Sequence, residues 1–472
     1  MENKSQWGFI VGALIMLGVV IFPSPSQSMN HDSWVILGLM IVMALWWVLE
    51  VVPIAVTALL PPLLVPLAGV GEIKEISSSY AHPLLFLFMG GFILSLAMER
   101  SNLHQRIARL TMLVSGTRPA AQVGGMMGVT AFLSMWMSNT ATTVMMLPIA
   151  LSVIHLLKER SDIKELAPIM LLGIAYSASI GGMATLIGTP PNAFLAAYLS
   201  EHFSIELSFV VWMVFAVPLS TILLAVTWWW LTRKGLPQEG EAATQELFRR
   251  QLREMGPMVW AERWVLLILV TTALGWIFRK PLVAWTGIPL TDTGIALIAA
   301  VLLFLIPKEW GKAERLLDWE STQKLPWGVL VMLGGGLALA GLIQSSGLAD
   351  YFGSLVQSSV HLDPFWILVI TVLGIIFLTE INSNTATTAA FIPILGPVAV
   401  ALGLAPVLYV VPVTIAASCA FMMPVATAPN AVVYGSGQIQ MRDMLRAGWM
   451  LNLIAWVIVV TFGRWVVPFV FS

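Results

Sequence analysis

The sequence predicts an all-α polytopic membrane protein, with about 11 transmembrane helices and two re-entrant hairpins set in an inverted repeat. Three observations carry this prediction. The 472 residues are 58% hydrophobic and only 10% charged, with a mean hydropathy of +0.87, whereas a soluble domain carries about 25% charged residues to cover its wet surface. Uncharged apolar runs long enough to span a bilayer recur from end to end, without the short alternating segments of a β-barrel. Finally, Ser138-Asn139-Thr140-Ala141-Thr142-Thr143 recurs residue for residue as Ser383-Asn384-Thr385-Ala386-Thr387-Thr388, 245 positions later. At the same offset Pro148 meets Pro393, Gly90-Gly91 meets Gly335-Gly336, and Ser101-Asn102-Leu103 meets Ser346-Gly347-Leu348. The chain is two copies of one unit.

Several function classes fall away at once. A net charge of -1 selects no partner, and the single cysteine, Cys419, leaves no internal disulfide or cysteine-rich metal site. Six scattered histidines form no His-x-x-x-His pair, so zinc and haem are not expected. Basic residues do not cluster over aromatic rows, which argues against nucleic acid as a partner. No His-Glu-x-x-His, Gly-x-Ser-x-Gly or paired intramembrane aspartates are present to run hydrolysis. The chain does not read as an enzyme.

Residues 1–82 form an N-terminal unit. Lys4 precedes an apolar run over 7–22, ended by Pro23-Ser24-Pro25; with no small-residue cleavage site it reads as a first span, not a signal peptide. Residues 34–51 and 54–70 make the second and third spans, with Glu50 at a span end.

The first repeat covers 83–231. A span over 83–98 holds Gly90-Gly91, small residues that let helices approach closely, and a basic loop follows with Arg100, Arg106, Arg109 and Arg118. Residues 121–157 carry Ser138-Asn139-Thr140 at their centre. Each flank is about 17 residues, marginal for a full crossing, so two half-length helices meeting at a tip inside the membrane are expected over two thin ordinary spans. A charged connection at 158–165 leads to residues 166–199, which as one helix would run about 50 Å against a hydrocarbon core of ~30 Å. That stretch is interrupted at Gly188-Thr189-Pro190-Pro191-Asn192, where two prolines remove donors and push preceding residues out of helical geometry. Residues 208–230 span again and end in the interfacial anchor Trp228-Trp229-Trp230.

Residues 232–326 connect the copies: a polar linker at 233–263, spans at 264–278 and 292–306, and a basic loop at 308–324. The second repeat, 327–472, opens with a span at 327–343 carrying Gly334-Gly335-Gly336. It continues with a hairpin over 364–402 around Ser383-Asn384-Thr385, a helix over 407–433 broken at Ala426-Thr427-Ala428-Pro429-Asn430, and a closing span at 449–470.

With the N-terminus in the cytoplasm and the hairpins not crossing, 20 of the 24 lysines and arginines fall on the inner side; Lys74, Arg279, Lys280 and Arg464 are the exceptions. This bias supports the topology. Between residues 83 and 327 the chain then crosses five times. Five is odd, so the second copy is inverted and the hairpins enter from opposite faces.

Inverted repeats with helices interrupted near the midplane are the architecture of secondary transporters. Freed N–H groups and positive helix ends attract anions, and freed carbonyls with Ser, Asn and Thr oxygens suit hard cations such as Na⁺. Two copies would place two cation sites around one central anion site. Neither motif carries a lysine or arginine, so co-bound cations are the natural balance for a dianion at the midplane. Serines and threonines in apolar helices often only bond the backbone or hold helices together. Two copies in matched register, each followed by a Thr-x-Pro-Asn break, favour a working site.

These residues carry a family resemblance. The paired Ser-Asn-Thr motifs, Gly188-Thr189-Pro190-Pro191-Asn192 and Ala426-Thr427-Ala428-Pro429-Asn430 resemble the divalent anion:sodium symporter family. The runs 86–92 (Phe-Leu-Phe-Met-Gly-Gly-Phe) and 134–142 (Ser-Met-Trp-Met-Ser-Asn-Thr-Ala-Thr) are similar to its bacterial dicarboxylate carriers. The resemblance covers nearly the whole chain. It implies a homodimer in the bacterial cytoplasmic (inner) membrane, with a scaffold and a transport domain moving as an elevator. It also implies succinate, malate or fumarate imported with two or more Na⁺. By the same resemblance Ser134, Ser138, Asn139 and Gly188 match a first Na⁺ site, and Thr379, Asn382, Asn384 and Ala426 a second. Asn139, Thr140, Thr189, Pro190, Asn384, Thr385, Thr427 and Ala428 match the carboxylate-binding positions. Ala428 stands where the family often has proline, as Pro190 does in the first motif.

Glu380, inside the membrane, reads either as a proton-coupling group or as an acid that fixes the hairpin by hydrogen bonds, the second being favoured. Asp292, His82 and His104 near span ends are expected to be solvated, and Cys419 to be a small core residue. The functions that compete with Na⁺-coupled dicarboxylate symport are Na⁺-independent dicarboxylate or citrate exchange, sulfate or citrate symport, and an anion channel, which would need a continuous polar path.

Overall fold

The computed structural model describes residues 2–24, 26, 29–158, 165–233, 236, 242–359 and 363–471. Most of the charged connection at 158–165, and Lys234 in the linker, lie outside the described residues. Among the described residues the regular structure is helical, with one isolated bridge between Pro307 and Arg315. Nine of these helices are long and apolar enough to cross a membrane. Two of the nine, Asn139–Leu156 and Asn384–Ala401, are hairpin arms, and shorter apolar helices such as Gln6–Ile21 and Asp292–Leu305 fill out the order expected from sequence.

The repeat is visible element for element. Pro83–Arg100, Leu103–Val114, Pro119–Ser134, Asn139–Lys158, Leu166–Met183, Pro190–Phe203 and Phe209–Thr232 are followed in the same order by Trp327–Ser345, Leu348–Ser359, Pro364–Leu378, Asn384–Ala401, Val407–Ala417, Ala428–Gly435 and Met441–Trp465. The copies pack by exchange. Asn139–Lys158 lies against Ala428–Gly435, and its counterpart Asn384–Ala401 lies against Pro190–Phe203. Leu166–Met183 likewise meets Ala428–Gly435 while Pro190–Phe203 meets Val407–Ala417. Such reciprocal contacts are what a two-fold relation between the copies produces.

Glycine sets the closest approaches. A Cβ on Gly335 would sit 2.3 Å from the Ala58 carbonyl oxygen, and one on Gly336 would sit 2.5 Å from the Phe194 ring. The helix 327–345 therefore touches both the N-terminal unit and the first broken helix through bare backbone, as small residues at membrane helix interfaces allow. At its far end the Ser346 carbonyl accepts Asn30 Nδ2 at 3.0 Å and Ser33 Oγ at 2.7 Å.

Several expectations are corrected. The third span is two short helices, Ile54–Thr57 and Leu60–Leu67, because Pro61, Pro62 and Pro66 cannot donate to a continuous ladder. The basic loop after residue 100 contains an amphipathic helix, Leu103–Val114, and the linker contains another, Ala242–Met255, packed upon it. Arg109 Nε reaches Gln251 Oε1 at 3.1 Å across this contact. Beside it the buried Arg106 guanidinium forks onto Glu262, at 3.1 and 3.0 Å, and also donates to the Gly256 carbonyl at 2.9 Å. At the end of the Pro83–Arg100 helix, Arg100 pairs with Asp318 and with Glu314. The Ser321 hydroxyl and Arg100 hold the Asp318 carboxyl down at about 2.

Asp292 and His104 are not solvated. Asp292 is buried, accepts Phe209 N at 2.9 Å and faces Arg279 Nε at 3.3 Å. His104 is buried with Nδ1 3.0 Å from the Met98 carbonyl oxygen, and burial lowers its pKa. His82 is partly buried, 3.2 Å from Glu201. Cys419 is fully buried, as expected.

Candidate functional site

Each hairpin opens with a helix too short to cross and closes with a longer one, Asn139–Lys158 or Asn384–Ala401. The first arms, Pro119–Ser134 and Pro364–Leu378, have 16 and 15 residues, about 24 Å and 22 Å against a core of ~30 Å. The first arm ends at Ser134 and the next begins at Asn139, with Ser138 Oγ accepting Ala141 N at 3.2 Å as a cap. In the second hairpin Asn382 Oδ1 accepts Ser383 N at 2.9 Å, and Asn382 Nδ2 donates to Thr387 Oγ1 at 3.2 Å. Thr143 and Thr388 occupy matched places and donate to the Asn139 and Asn384 carbonyls, both at 2.8 Å.

The broken helices open earlier than the prolines suggest. Regular structure stops at Met183 and at Ala417, and the second halves begin at Pro190 and Ala428. Pro190 and Pro429 thus start a helix, where a missing N–H costs nothing, and do not themselves form the break. Thr189 and Thr427 are extended caps (φ −146° and −139°), and Thr427 Oγ1 accepts Asn430 N at 3.2 Å. The motif asparagines bracket the breaks. Asn192 Nδ2 donates to the Gly182, Met183 and Thr185 carbonyls at 3.2, 3.2 and 2.8 Å, and Asn430 Nδ2 to those of Ala420 and Met423 at 3.2 and 3.0 Å.

Both tips and both breaks open onto one cavity of about 960 Å³. Ser138, Asn139, Thr140, Gly188, Thr189 and Pro190 line it from the first copy. Asn382, Asn384, Thr385, Ala426, Thr427 and Ala428 line it from the second. Four helices start at its wall, at Asn139, Pro190, Asn384 and Ala428. A helix N-terminus is worth roughly half a positive charge, so four together match roughly the charge of a dianion. Two charged residues also line the cavity, Glu50 and Lys324; they sit at the ends of His31–Leu49 and of the 3₁₀ turn Trp319–Lys324. The sequence motifs, which hold no lysine or arginine, did not reveal Lys324.

Ser134 and Thr379, both fully buried, sit behind the tips. Ser134 Oγ lies 2.7 Å from both Asn139 Oδ1 and the Ala178 carbonyl oxygen. Thr379 Oγ1 lies 2.9 Å from Asn384 Oδ1 and 2.8 Å from the Ala417 carbonyl oxygen. One hydroxyl proton serves only one of two acceptors, so each cluster holds three oxygens and too few protons. A hard cation among them would relieve that crowding, and the donor set fits Na⁺ in kind. Gly188 is pressed against the first cluster, since a Cβ there would lie 2.5 Å from Gly182 O and 3.0 Å from Ser134 O. A Cβ on Gly182 would lie 2.3 Å from Asn139 Oδ1. The sequence reading missed the Ala178 and Ala417 carbonyls, the bracketing asparagines and Gly182; the asparagine shared by both Thr-x-Pro-Asn motifs was the available signal.

A helical membrane protein in which interrupted helices and hairpin tips from two copies converge on one polar cavity is a solute transporter by architecture. The chain belongs to the family described as the sodium:sulfate symporter transmembrane region, whose model matches residues 3–472. It is 39% identical to the sodium-dependent dicarboxylate transporter SdcS of Staphylococcus aureus strain USA300, over 98% of this chain and 91% of that one. It is 38% identical to SdcS of strain MRSA252 over the same shares. Among solved structures, the fold is similar to the YdaH transporter of Alcanivorax borkumensis, with a TM-score of 0.54 and 15% identity over 83% of this chain and 87% of that one. It is also similar to MtrF of Neisseria gonorrhoeae, with a TM-score of 0.56 and 13% identity over 98% and 94% of the two chains. At such identities these two speak for the fold alone.

Proposed function

We propose that the protein imports C4-dicarboxylates such as succinate, malate and fumarate together with Na⁺. The observation that carries this reading is the four helix N-termini, at Asn139, Pro190, Asn384 and Ala428, on one cavity wall. They suit a dianion held by backbone and side-chain amides and hydroxyls, without a fixed cation in the motifs. The SdcS relatives, sodium-dependent dicarboxylate transporters by name, support both halves of the reading.

Two or more Na⁺ are bound as co-substrates. Ser134, Ser138, Asn139 and Gly188 hold the first; Thr379, Asn382, Asn384 and Ala426 hold the second. The carboxylates lie between them, against Asn139, Thr140, Thr189 and Pro190 on one side and Asn384, Thr385, Thr427 and Ala428 on the other. Asn139 and Asn384 serve ion and substrate together, which couples the two. Na⁺ neutralises the oxygen clusters and the dianion at once, so the loaded site crosses with little net charge.

Glu50, Lys324 and Pro326 line the cavity, next to the basic stretch 308–324, which supports a conformation that faces the cytoplasm under the charge-bias topology. Transport proceeds by an elevator, the hairpins and broken helices moving against the helix 327–345, in a homodimer of the bacterial inner membrane with a cytoplasmic N-terminus.

Uptake of radiolabelled succinate into proteoliposomes, with an inward gradient of Na⁺, of K⁺ or of neither, tests this. Accumulation only with Na⁺ is expected, with unlabelled malate and fumarate competing. Uptake that needs internal dicarboxylate and ignores Na⁺ would make it an exchanger, and competition by sulfate alone would move the substrate class.

A further inference from the structure

Glu380 is the one acidic residue of the two hairpins, and it is buried, 3% exposed, one position after Thr379. Its carboxylate accepts from four donors and donates to none. Oε1 takes Phe421 N at 2.7 Å, Met422 N at 2.9 Å and Asn452 Nδ2 at 2.7 Å. Oε2 takes Met422 N at 3.1 Å and Met423 N at 2.9 Å. The backbone donors belong to the second interruption, the stretch between Ala417 and Ala428 that supplies the Ala417 carbonyl at one end and Ala426 and Thr427 at the other.

The first copy solves the same problem without charge. Met135 stands at the position of Glu380. Its carbonyl accepts Thr185 Oγ1 at 2.6 Å, Thr185 Oγ1 accepts Gly188 N at 3.1 Å, and Trp212 Nε1 donates to the Met183 carbonyl at 3.0 Å. The two oxygen clusters therefore match in geometry but differ by one carboxylate.

We propose that Glu380 is a positioning residue for the second cation cluster. It fixes the interrupted segment that carries the cluster's backbone oxygens, and its charge makes this the stronger of the two Na⁺ sites. The inference rests on the Na⁺-coupled reading above and deepens it. A formal charge in a low-dielectric interior acts over several ångströms with little screening, and hydrogen bonds to an ionised group are stronger than neutral ones.

The test measures thermal unfolding of the purified protein in detergent, with NaCl replacing KCl at constant ionic strength, so that binding is read without transport. Wild type is stabilised by Na⁺. In E380Q the Na⁺ concentration for half-maximal stabilisation rises by about tenfold or more, as expected for losing one charge-assisted set of bonds. Adding Asn452→Asp, which returns a carboxylate within hydrogen-bond reach of the same place, brings it back to within about threefold of wild type. A wild type indifferent to Na⁺ overturns the sodium-coupled reading, and this inference with it. A responsive wild type with an equally responsive E380Q overturns this inference alone. So does a double variant as weak as E380Q, or loss of folded E380Q that Asn452→Asp does not repair, since charge would then not be the deciding property.

Discussion

Ser134 Oγ and Asn139 Oδ1 stand 2.7 Å apart behind the first hairpin tip, and Thr379 Oγ1 repeats the relationship with Asn384 Oδ1 at 2.9 Å. Ser134 ends its hairpin arm and Thr379 caps the end of the other, and each amide is at the first residue of the next helix, so a tip is closed by the group that would bind the ion. Ser134→Ala and Thr379→Ala each remove one oxygen from a cluster. Each is expected to raise the Na⁺ concentration for half-maximal succinate uptake by about tenfold, the cost of one contact to a charged group. Asn139→Ala or Asn384→Ala removes an oxygen that ion and substrate would share at the proposed site, and should abolish uptake. Normal transport in either asparagine variant would sink the proposed site.

Gly182→Ala tests the same tip from its other side. The added methyl would lie 2.3 Å from Asn139 Oδ1, on a helix that is buried almost throughout and has no room to retreat. Uptake should fall below a tenth of wild type by an order-of-magnitude reading of that clash, with the protein still inserted in the membrane. Gly128→Ala is the control, because nothing lies within 4 Å of a Cβ there. An active Gly182→Ala would mean that the tip does not seat against the break.

How much of this was legible in the sequence follows from what each signal depends on. Spans such as 31–49 and 209–232 show as plain apolar runs, and the hairpins show because Ser-Asn-Thr interrupts two runs at one offset. The helices Leu103–Val114 and Ala242–Met255 did not, since they are polar on one face and their apolar face becomes visible only once they pack on each other. The breaks lie ahead of the prolines, which mark them in sequence but in the structure start the second half-helices. The burial of Asp292 is hidden for a different reason: its partner is the N–H of Phe209, 83 positions upstream, and nothing local reports that pairing. The roles of the Ala178 and Ala417 carbonyls are backbone properties, which residue types do not encode.

Arg106 and Glu262 form the buried ion pair that joins the first surface helix to the span Trp260–Ile277. Removing one partner leaves the other charged and unpaired in a closed space, which costs about 3–5 kcal/mol. Arg106→Ala should lower thermal stability in detergent markedly, whereas Arg250→Ala, on an exposed pair with Glu254, should change it by less than about 1 kcal/mol. Equal melting of the two variants would mean that this pair does not hold the surface helix.

The inverted repeat makes the sharpest topological prediction. Arg118 caps the first hairpin and Ser345 ends the helix that opens the second copy, and both are exposed. From Pro83–Arg100 to Trp327–Ser345 the intervening crossings are odd in number if each hairpin returns to its own side and each broken helix crosses once. Cysteines at the two positions should then lie on opposite faces. In a Cys419→Ala background, which removes the buried native thiol, an impermeant maleimide on intact cells should label Ser345→Cys at once and Arg118→Cys only after permeabilisation. The reverse pattern would keep the inversion and flip the protein in the membrane, placing the cavity mouth outside. Labelling of both from one face would mean an even number of crossings between them, and the two Ser-Asn-Thr tips could then not enter from opposite sides of the membrane.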